Sequence, residues 1–295
     1  MRHFIAVADC GTFSKASAQL NLTQPALTRS VQTLEETVGA ALFERQPRGV
    51  TLTAPGRTLL RHAQLMLNQV SAAREEVHAL ETGIAGQLEI GLAPMFSATI
   101  IDQMLIDLTR EFPGLRFRVT TALLPTLVQG LSDGSLDVVL SNIPTGQVPS
   151  DIHHDVLFNT RSYVLASTKH PLSKATALEL RDLQSAQWAV VTQSNGGDAI
   201  ALLSREDGFD LDTPTLETNS LSLLRTMLLS GQFLSVLPEH WLADDLERGD
   251  IVRLPVETMP IVRPAGVMMR KEPSRAASVG LFMEKARLRA KDWTA

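Results

Sequence analysis

Four side chains in one short stretch, Gln24, Thr28, Arg29 and Gln32, have the types and the spacing to recognise nucleic acid. On a helix they share one face. An amide, a hydroxyl and a guanidinium all hydrogen-bond to base edges or phosphates, and a guanidinium suits O6 and N7 of guanine. The surrounding stretch, SKASAQLNLTQPALTRSVQTLEET at 14–37, reads as the two helices that would present them. Ser14 is placed to cap the first, whose inward residues would be Ala16, Ala18 and Leu20. Asn21-Leu22 make a tight turn. Thr23 is an N-cap for the second helix, and Pro25 sits in its first turn, where a missing N–H costs nothing. Leu27, Val31, Leu34 and Val38 then form one apolar stripe, which leaves the four polar residues facing out. Two helices and a short turn are the layout of a helix-turn-helix. A merely solvated polar face would look the same, so the flanks matter.

Those flanks supply the rest of a small domain. Phe4-Ile5-Ala6-Val7-Ala8 reads as a preceding apolar helix and Cys10-Gly11-Thr12-Phe13 as a corner. After the second helix come Leu42-Phe43-Glu44-Arg45, Gln46-Pro47-Arg48-Gly49 and Val50-Thr51-Leu52-Thr53. This is strand, turn, strand: a wing with Arg45 and Arg48 near its tip. Residues 4–60 resemble the LysR-type transcriptional regulators, with TQPALTRSVQTLEE, LFER and GVTLTAPG in family order and spacing. The resemblance implies a winged helix-turn-helix in residues 1–58, a linker and dimerisation helix in 59–83, and an effector-binding domain in 86–295. It further implies a dimer of dimers on promoter DNA, a small-molecule effector, contact with RNA polymerase and a cytoplasmic location. The DNA-contacting set would be Ser14, Thr23, Gln24, Pro25, Thr28, Arg29, Gln32, Arg48 and Arg57. Gln24 and Arg29 would read bases. Thr23, Thr28, Gln32, Arg48 and Arg57 would hold phosphates.

The charge distribution agrees. The whole chain carries −5, but seven basic against four acidic residues give residues 1–62 a charge of +3 and leave −8 for the rest. A modestly cationic head on an anionic body binds duplex DNA weakly as one copy, so oligomerisation must multiply the phosphate contacts. The next helix supplies the means. Thr53 can cap a helix from Ala54 that meets no breaker until Gly83. In it Leu59, Ala63, Met66, Val70, Ala73, Val77 and Leu80 alternate at spacings of four and three, a heptad seam suited to self-pairing. A helix packed on its own domain is the competing reading.

Beyond a hinge at Thr82–Gly86 the pattern changes to alternating strands and helices. Leu88–Leu92, Phe117–Thr121 and Val138–Leu140 read as strands. The intervening helices are expected at Ala98–Phe112, capped by Ser97, and at Pro125–Asp133. This order demands a parallel sheet. A second unit has strands at Tyr163–Ala166, Trp188–Val191, Leu216–Thr218 and Leu234–Leu237, and helices at Ile200–Arg205, Ser220–Ser230 and Glu239–Arg248. Ala265–Met269 and a helix over Ser274–Ala290 lead back to the first. The fold class is therefore α/β overall, and the body looks like a two-lobed, periplasmic-binding-protein-like domain. Lobe I is expected at about 86–160 and 264–295, lobe II at about 161–263. Ligands of such sheets sit outside the carboxyl ends of the strands. That places the effector near Met95, Phe96, Ser97, Leu124, Asn142, Thr192, Gln193, Ser194, Asn219 and Ser220. Hydroxyls and helix N-termini there favour an anionic, carboxylate-type group, although Ser97 and Ser220 also read simply as caps. In the family, the positions of Met95 and Leu124 often hold hydroxyl residues. Their apolar character here implies an effector with a hydrocarbon or aromatic part.

Other classes find little support. No run approaches the ~18 apolar residues of a membrane helix. The start of the chain has no basic-then-apolar leader pattern. Cys10 is the one cysteine and reads as a small corner residue. His62 and His78 stand too far apart on one helix to share a metal, and His153-His154 would diverge on a strand. HExxH, CxxC and GxSxG are absent. The expectation is no catalysis, no metal and no cofactor. A solute-binding protein would not need residues 1–82.

Overall fold

The computed structural model describes residues 1–82, 86–96, 101–144, 148–192, 214–257, 259–273, 275–290 and 293. The chain divides into two compact units: Met1–Glu81 with Ser132–Ser135, and Thr82–Leu131 with Leu136–Ala295.

In the first unit, α1 (Arg2–Cys10), α2 (Phe13–Gln19) and α3 (Gln24–Val38) precede a hairpin of β1 (Phe43–Gln46) and β2 (Gly49–Leu52), then the 29-residue α4 (Ala54–Thr82). One face of each short helix is apolar, and these faces bury Ala6, Val7, Ala16, Leu27 and Val31 together. Phe4 is fully buried and meets Phe43 ring to ring at 5.3 Å, binding α1 to the hairpin. Burial of such a ring contributes roughly 2–3 kcal/mol. Polar ties set the geometry. Glu35, near the end of α3, accepts from the backbone N–H of Leu42 at 2.7 Å, so the helix fixes where the hairpin starts. Val50 N–H donates to the Gly11 carbonyl at 2.8 Å. That approach is why Gly49 is glycine: at φ 148° an added Cβ would lie 2.4 Å from the same carbonyl. Gly56 meets the same limit, 2.1 Å from the Leu42 carbonyl, and lets α4 pass close to the hairpin.

Two expectations about this unit need correction. Ser14 does not cap α2: the cap is Thr12, whose hydroxyl accepts from Lys15 N–H at 3.2 Å, and Ser14 lies inside the helix. Thr12 has extended backbone angles, as an N-cap requires. Ala63 does not belong to an outward seam either. It is fully buried with Phe4 and Leu42, and Leu59 packs beside it. The start of α4 is part of the head's own core. Thr53 caps α4 as expected, accepting from Gly56 N–H at 3.0 Å.

The second unit holds one sheet of nine strands among the described residues, in the order β4-β3-β5-β11-β6-β9-β7-β8, with β10 also on β6. β3 (Gln87–Leu92) pairs in parallel with both β4 (Arg116–Thr121) and β5 (Val138–Asn142). Between them run α5 (Asp102–Glu111) and α6 (Leu124–Asp133). β3 is buried from Leu88 to Leu92 because helices cover a parallel strand on both faces. β7 (Gln187–Val191), β8 (Leu216–Thr218) and β9 (Phe233–Pro238) form a second parallel set. The two sets are joined by long antiparallel strands, β6 (Ile152–Ser167) and β11 (Ile261–Arg270), whose register shifts between Ala265 and Gly266. The sequence-read strands at Tyr163–Ala166 and Ala265–Met269 are thus only parts of longer ones. β10 (Ile251–Arg253) carries no pattern long enough to read.

The helices differ similarly. The described part of the helix expected from Ala98 begins at Asp102, after a 3-10 turn at Pro94–Phe96. Glu239–Arg248 is a 3-10 turn followed by the five-residue α8 (Ala243–Glu247), not one helix. α7 is Leu221–Leu229 and α9 is Ala276–Arg289. Arg275, just before α9, pairs with buried Asp137 at 3.0 Å. Arg287 and Arg289 reach Asp155 and Asp107. These pairs bind α9 to the turn before β5, to β6 and to α5. The expected helix at Ile200–Arg205 lies outside the described residues.

Candidate functional site

The first unit carries one concavity in which the sequence-predicted residues converge. Its volume is about 890 Å³, and its lining is Gln24, Pro25, Ala26, Thr28, Arg29, Gln32 and, from β1, Arg45. Leu27 and Val31 anchor α3 from behind, so Gln24, Arg29 and Gln32 stand exposed and Thr28 half-exposed. Thr23 precedes α3 with extended backbone angles, but its hydroxyl makes no capping bond. No carboxylate lines the concavity, and its donors face solvent. Such a surface offers amide, hydroxyl and guanidinium groups to an anionic, hydrogen-bonding partner.

The other expected contacts lie outside this lining. Ser14 is exposed on α2. Arg48 sits in the hairpin turn and is exposed. Arg57 donates to the Leu52 carbonyl at 2.8 Å, which ties the hairpin's end to α4. Arg45 was legible only as a wing residue. It lies two positions from the inward-packing Phe43, so the alternation of a strand turns it to the α3 side.

On α4, Met66, Val70 and Val77 are 46%, 54% and 58% exposed, and Ala73 is exposed too. The side chain of Leu80 lies outside the described residues. Large apolar groups left open along one helix stripe are unusual unless something covers them.

In the second unit the expected effector residues cluster at strand ends. Met95 and Phe96 follow β3, Leu124 opens α6 after β4, and Asn142 ends β5: three adjacent parallel strands. Thr192 follows β7, while Asn219 and Ser220 follow β8. β9 runs parallel to β7 and delivers His240 to the same edge. There His240 Nε2 lies 3.0 Å from the Met95 carbonyl, and its ring stands 5.9 Å from that of Phe96. The carboxyl ends of both parallel sets therefore meet at this contact. Burial holds the His240 imidazole below its ordinary range, only partly offset by the Met95 carbonyl and by Glu239. The sequence gives no sign of this contact, because a lone histidine after a strand has no spacing signature.

Three expected residues have other duties. Phe96 is 1% exposed and packs on Phe158 within the core, so it lines that edge only through its backbone and ring packing. The Ser220 hydroxyl accepts from Leu223 N–H at 3.4 Å and caps α7. Asn142 Oδ1 accepts from Thr160 on β6 at 3.1 Å, which fixes its amide. Ser97, Gln193 and Ser194 lie outside the described residues. No His/Cys/Asp/Glu group able to hold a metal occurs among the described residues, and no described helix is long and apolar enough to cross a membrane.

A winged helix-turn-helix joined to a two-set α/β body is the architecture of a ligand-responsive DNA-binding regulator, and comparison with known proteins gives the family. Residues 1–57 match the bacterial regulatory helix-turn-helix model of the lysR family, and residues 81–290 match the LysR substrate binding domain. The chain belongs to the LysR-type transcriptional regulators. It is 31% identical to the HTH-type transcriptional regulator CfxR of Cupriavidus necator over 88% of this chain and 81% of that one. It is 27% identical to the regulator YdcI of Escherichia coli (strain K12) over 97% and 94%. The structure of full-length CbnR complexed with its target DNA matches with a TM-score of 0.66 at 20% identity, covering 98% of each chain.

Proposed function

We propose that this regulator reads promoter DNA with α3 in the major groove and responds to an anionic effector held where the two parallel strand sets meet. The observation that carries the reading is the carboxylate-free concavity on α3. Gln24 and Arg29 take the base edges. Thr23, Thr28, Gln32, Arg48 and Arg57 take phosphates, with Ser14 and Pro25 alongside. Residues 1–58 together with the first turns of α4 act as the head, the later part of α4 up to about 83 as the pairing rod and 86–295 as the sensor, with lobes divided near 160 and 263. Four copies, as a dimer of dimers, bring enough cationic heads to one promoter to offset the weakness of each. The CbnR complex with target DNA supports this docking by its shared fold. The effector's carboxylate is held by hydroxyl and amide groups such as Thr192, Asn219 and Asn142, and its apolar part by Met95 and Leu124. The ligand acts by favouring one arrangement of the assembly, which requires different affinities for two states. Contact with RNA polymerase in the cytoplasm completes the role.

The test is selection of duplexes from a random pool by the full chain, then binding by Arg29→Ala. Loss of one bidentate guanine contact should reduce discrimination at one base position by about 1–3 kcal/mol. An Arg29→Ala protein with unaltered preference and unaltered fold would remove Arg29 from base reading.

A further inference from the structure

At the carboxyl edge of the strands, Asn142 and His240 each have their hydrogen-bonding sense fixed by a neighbour. Asn142, at the end of β5, turns Oδ1 towards the Thr160 hydroxyl, which donates to it at 3.1 Å. The same hydroxyl donates at 3.2 Å to the Arg263 carbonyl, a group that can only accept. Thr160 is 2% exposed on β6, so this arrangement is held inside the sheet. With Oδ1 committed, Asn142 has its amide N–H groups left. No hydrogen bond to a described residue occupies them, and Asn142 is part-exposed. It therefore presents a donor to the edge. His240 has the opposite sense. Its Nε2 lies 3.0 Å from the Met95 carbonyl, so Nε2 carries the proton. Burial disfavours the imidazolium and keeps the ring neutral. Nδ1 is then a bare lone pair, pointing across the ring and away from Met95. Among the described residues nothing donates to it, and His240 is part-exposed. Both residues flank one element: Met95 belongs to the Pro94–Phe96 turn, and that turn packs on β5.

We propose that the effector is a carboxylate that also carries a hydroxyl or amino group: the Asn142 amide donates to its carboxylate oxygen, and His240 Nδ1 accepts from its hydroxyl or amine. The inference rests on the effector site proposed above. A plain acid makes only the first contact and leaves the His240 lone pair covered and unpaired, which weakens binding. Thr160 acts as a positioning residue through Asn142, and the Met95 carbonyl does the same through His240.

The experiment is calorimetric titration of the full chain with matched probes: propionate against lactate and alanine, phenylacetate against mandelate, and benzoate against para-hydroxybenzoate. In at least one set the donor-bearing acid should bind about tenfold tighter than the plain one, the scale of one hydrogen bond whose absence strands a part-buried group. His240→Phe keeps a ring against Phe96 but has no lone pair, so the members of that set should bind it equally. His240→Gln can donate to the Met95 carbonyl and still offer its oxygen, so it should retain the preference. Thr160→Val should weaken every member of the set by a similar factor, because the Asn142 amide is no longer held, and Thr160→Ser should restore them. Plain acids that bind as tightly as their partners, or tighter, overturn the inference and leave the carboxylate reading standing. Binding of no acid in the panel overturns both. These two outcomes are read on the unmodified chain, so they hold whether or not a variant folds. A preference that survives in His240→Phe shows that His240 is not the acceptor, and the proposal fails. It fails equally if Thr160→Val binds as the unmodified chain does, or if Thr160→Ser binds as poorly as Thr160→Val, since Thr160 then does not act through its hydroxyl.

Discussion

Val70→Asp tests whether the exposed stripe of α4 is where two copies meet. Val70 is 54% exposed, flanked one turn away by Met66 at 46% and two turns away by Val77 at 58%. Full burial of a valine is worth about 1.5–3 kcal/mol, so the exposed half of Val70 is worth about 1 kcal/mol to an interface. A two-fold pair counts each substitution twice. Two aspartates placed in an apolar contact cost at least about 2 kcal/mol more in desolvation. The total of about 4 kcal/mol corresponds to about a thousandfold rise in the dissociation constant of the pair. Within one chain Val70 is already open to water, so the fold itself should change by no more than about 0.5 kcal/mol. Sedimentation velocity over a concentration series reads the association, and circular dichroism confirms the helix. A shift of less than tenfold with the helix intact would refute the assignment, and the copies would then have to associate elsewhere.

Two further outcomes are expected. Gly56→Ala should destabilise the head by about 3 kcal/mol or more, because its Cβ would fall 2.1 Å from the Leu42 carbonyl, which is backbone and cannot turn aside; differential scanning calorimetry should show the loss, and an unchanged melting profile would mean α4 is not seated against the hairpin as described. Acid should destabilise the second unit through His240. Its folded pKa lies below the ordinary 6.5 because of burial, so the unfolded chain takes up the proton first as pH falls. The contribution is fully present above 6.5 and is lost as pH drops through the folded value. His240→Gln keeps a donor for Met95 and should shrink the fall in melting temperature below pH 6.5. His170, also lowered by burial, leaves a remainder.

Much of this molecule could be read from residue types alone, because the signals were local. The stripe Leu27–Val31–Leu34 dictated which side of α3 faces out, and that outward side is the one that forms the concavity. Strand order β3-α5-β4-α6-β5 followed from alternation and came out parallel. What could not be read depends on distant partners. The length of β6 is set by pairing with β11 along one half and with β9 and β10 along the other. None of those partners is near it in sequence. Arg45 and His240 share this property. Each becomes part of a site only because a strand delivers it to residues about 15 or about 145 positions away.

The α4 helix shows why periodicity alone misassigns function. A stripe repeating every three and four residues runs from Leu59 to Val77 without a break, and nothing in its spacing changes along the way. Yet its first turns are sealed against Phe4 and Leu42, and its later ones lie open. One helix therefore buries the first part of a single apolar face inside the head and leaves Met66, Val70 and Val77 exposed. The continuity has a mechanical consequence. If two copies pair along the exposed part, as proposed above, a change in that pairing reaches the heads through a helix whose Leu59 and Ala63 belong to the head's core. A substitution there, such as Ala63→Val, should disturb promoter spacing and head stability together, whereas one at Val70 should affect only pairing.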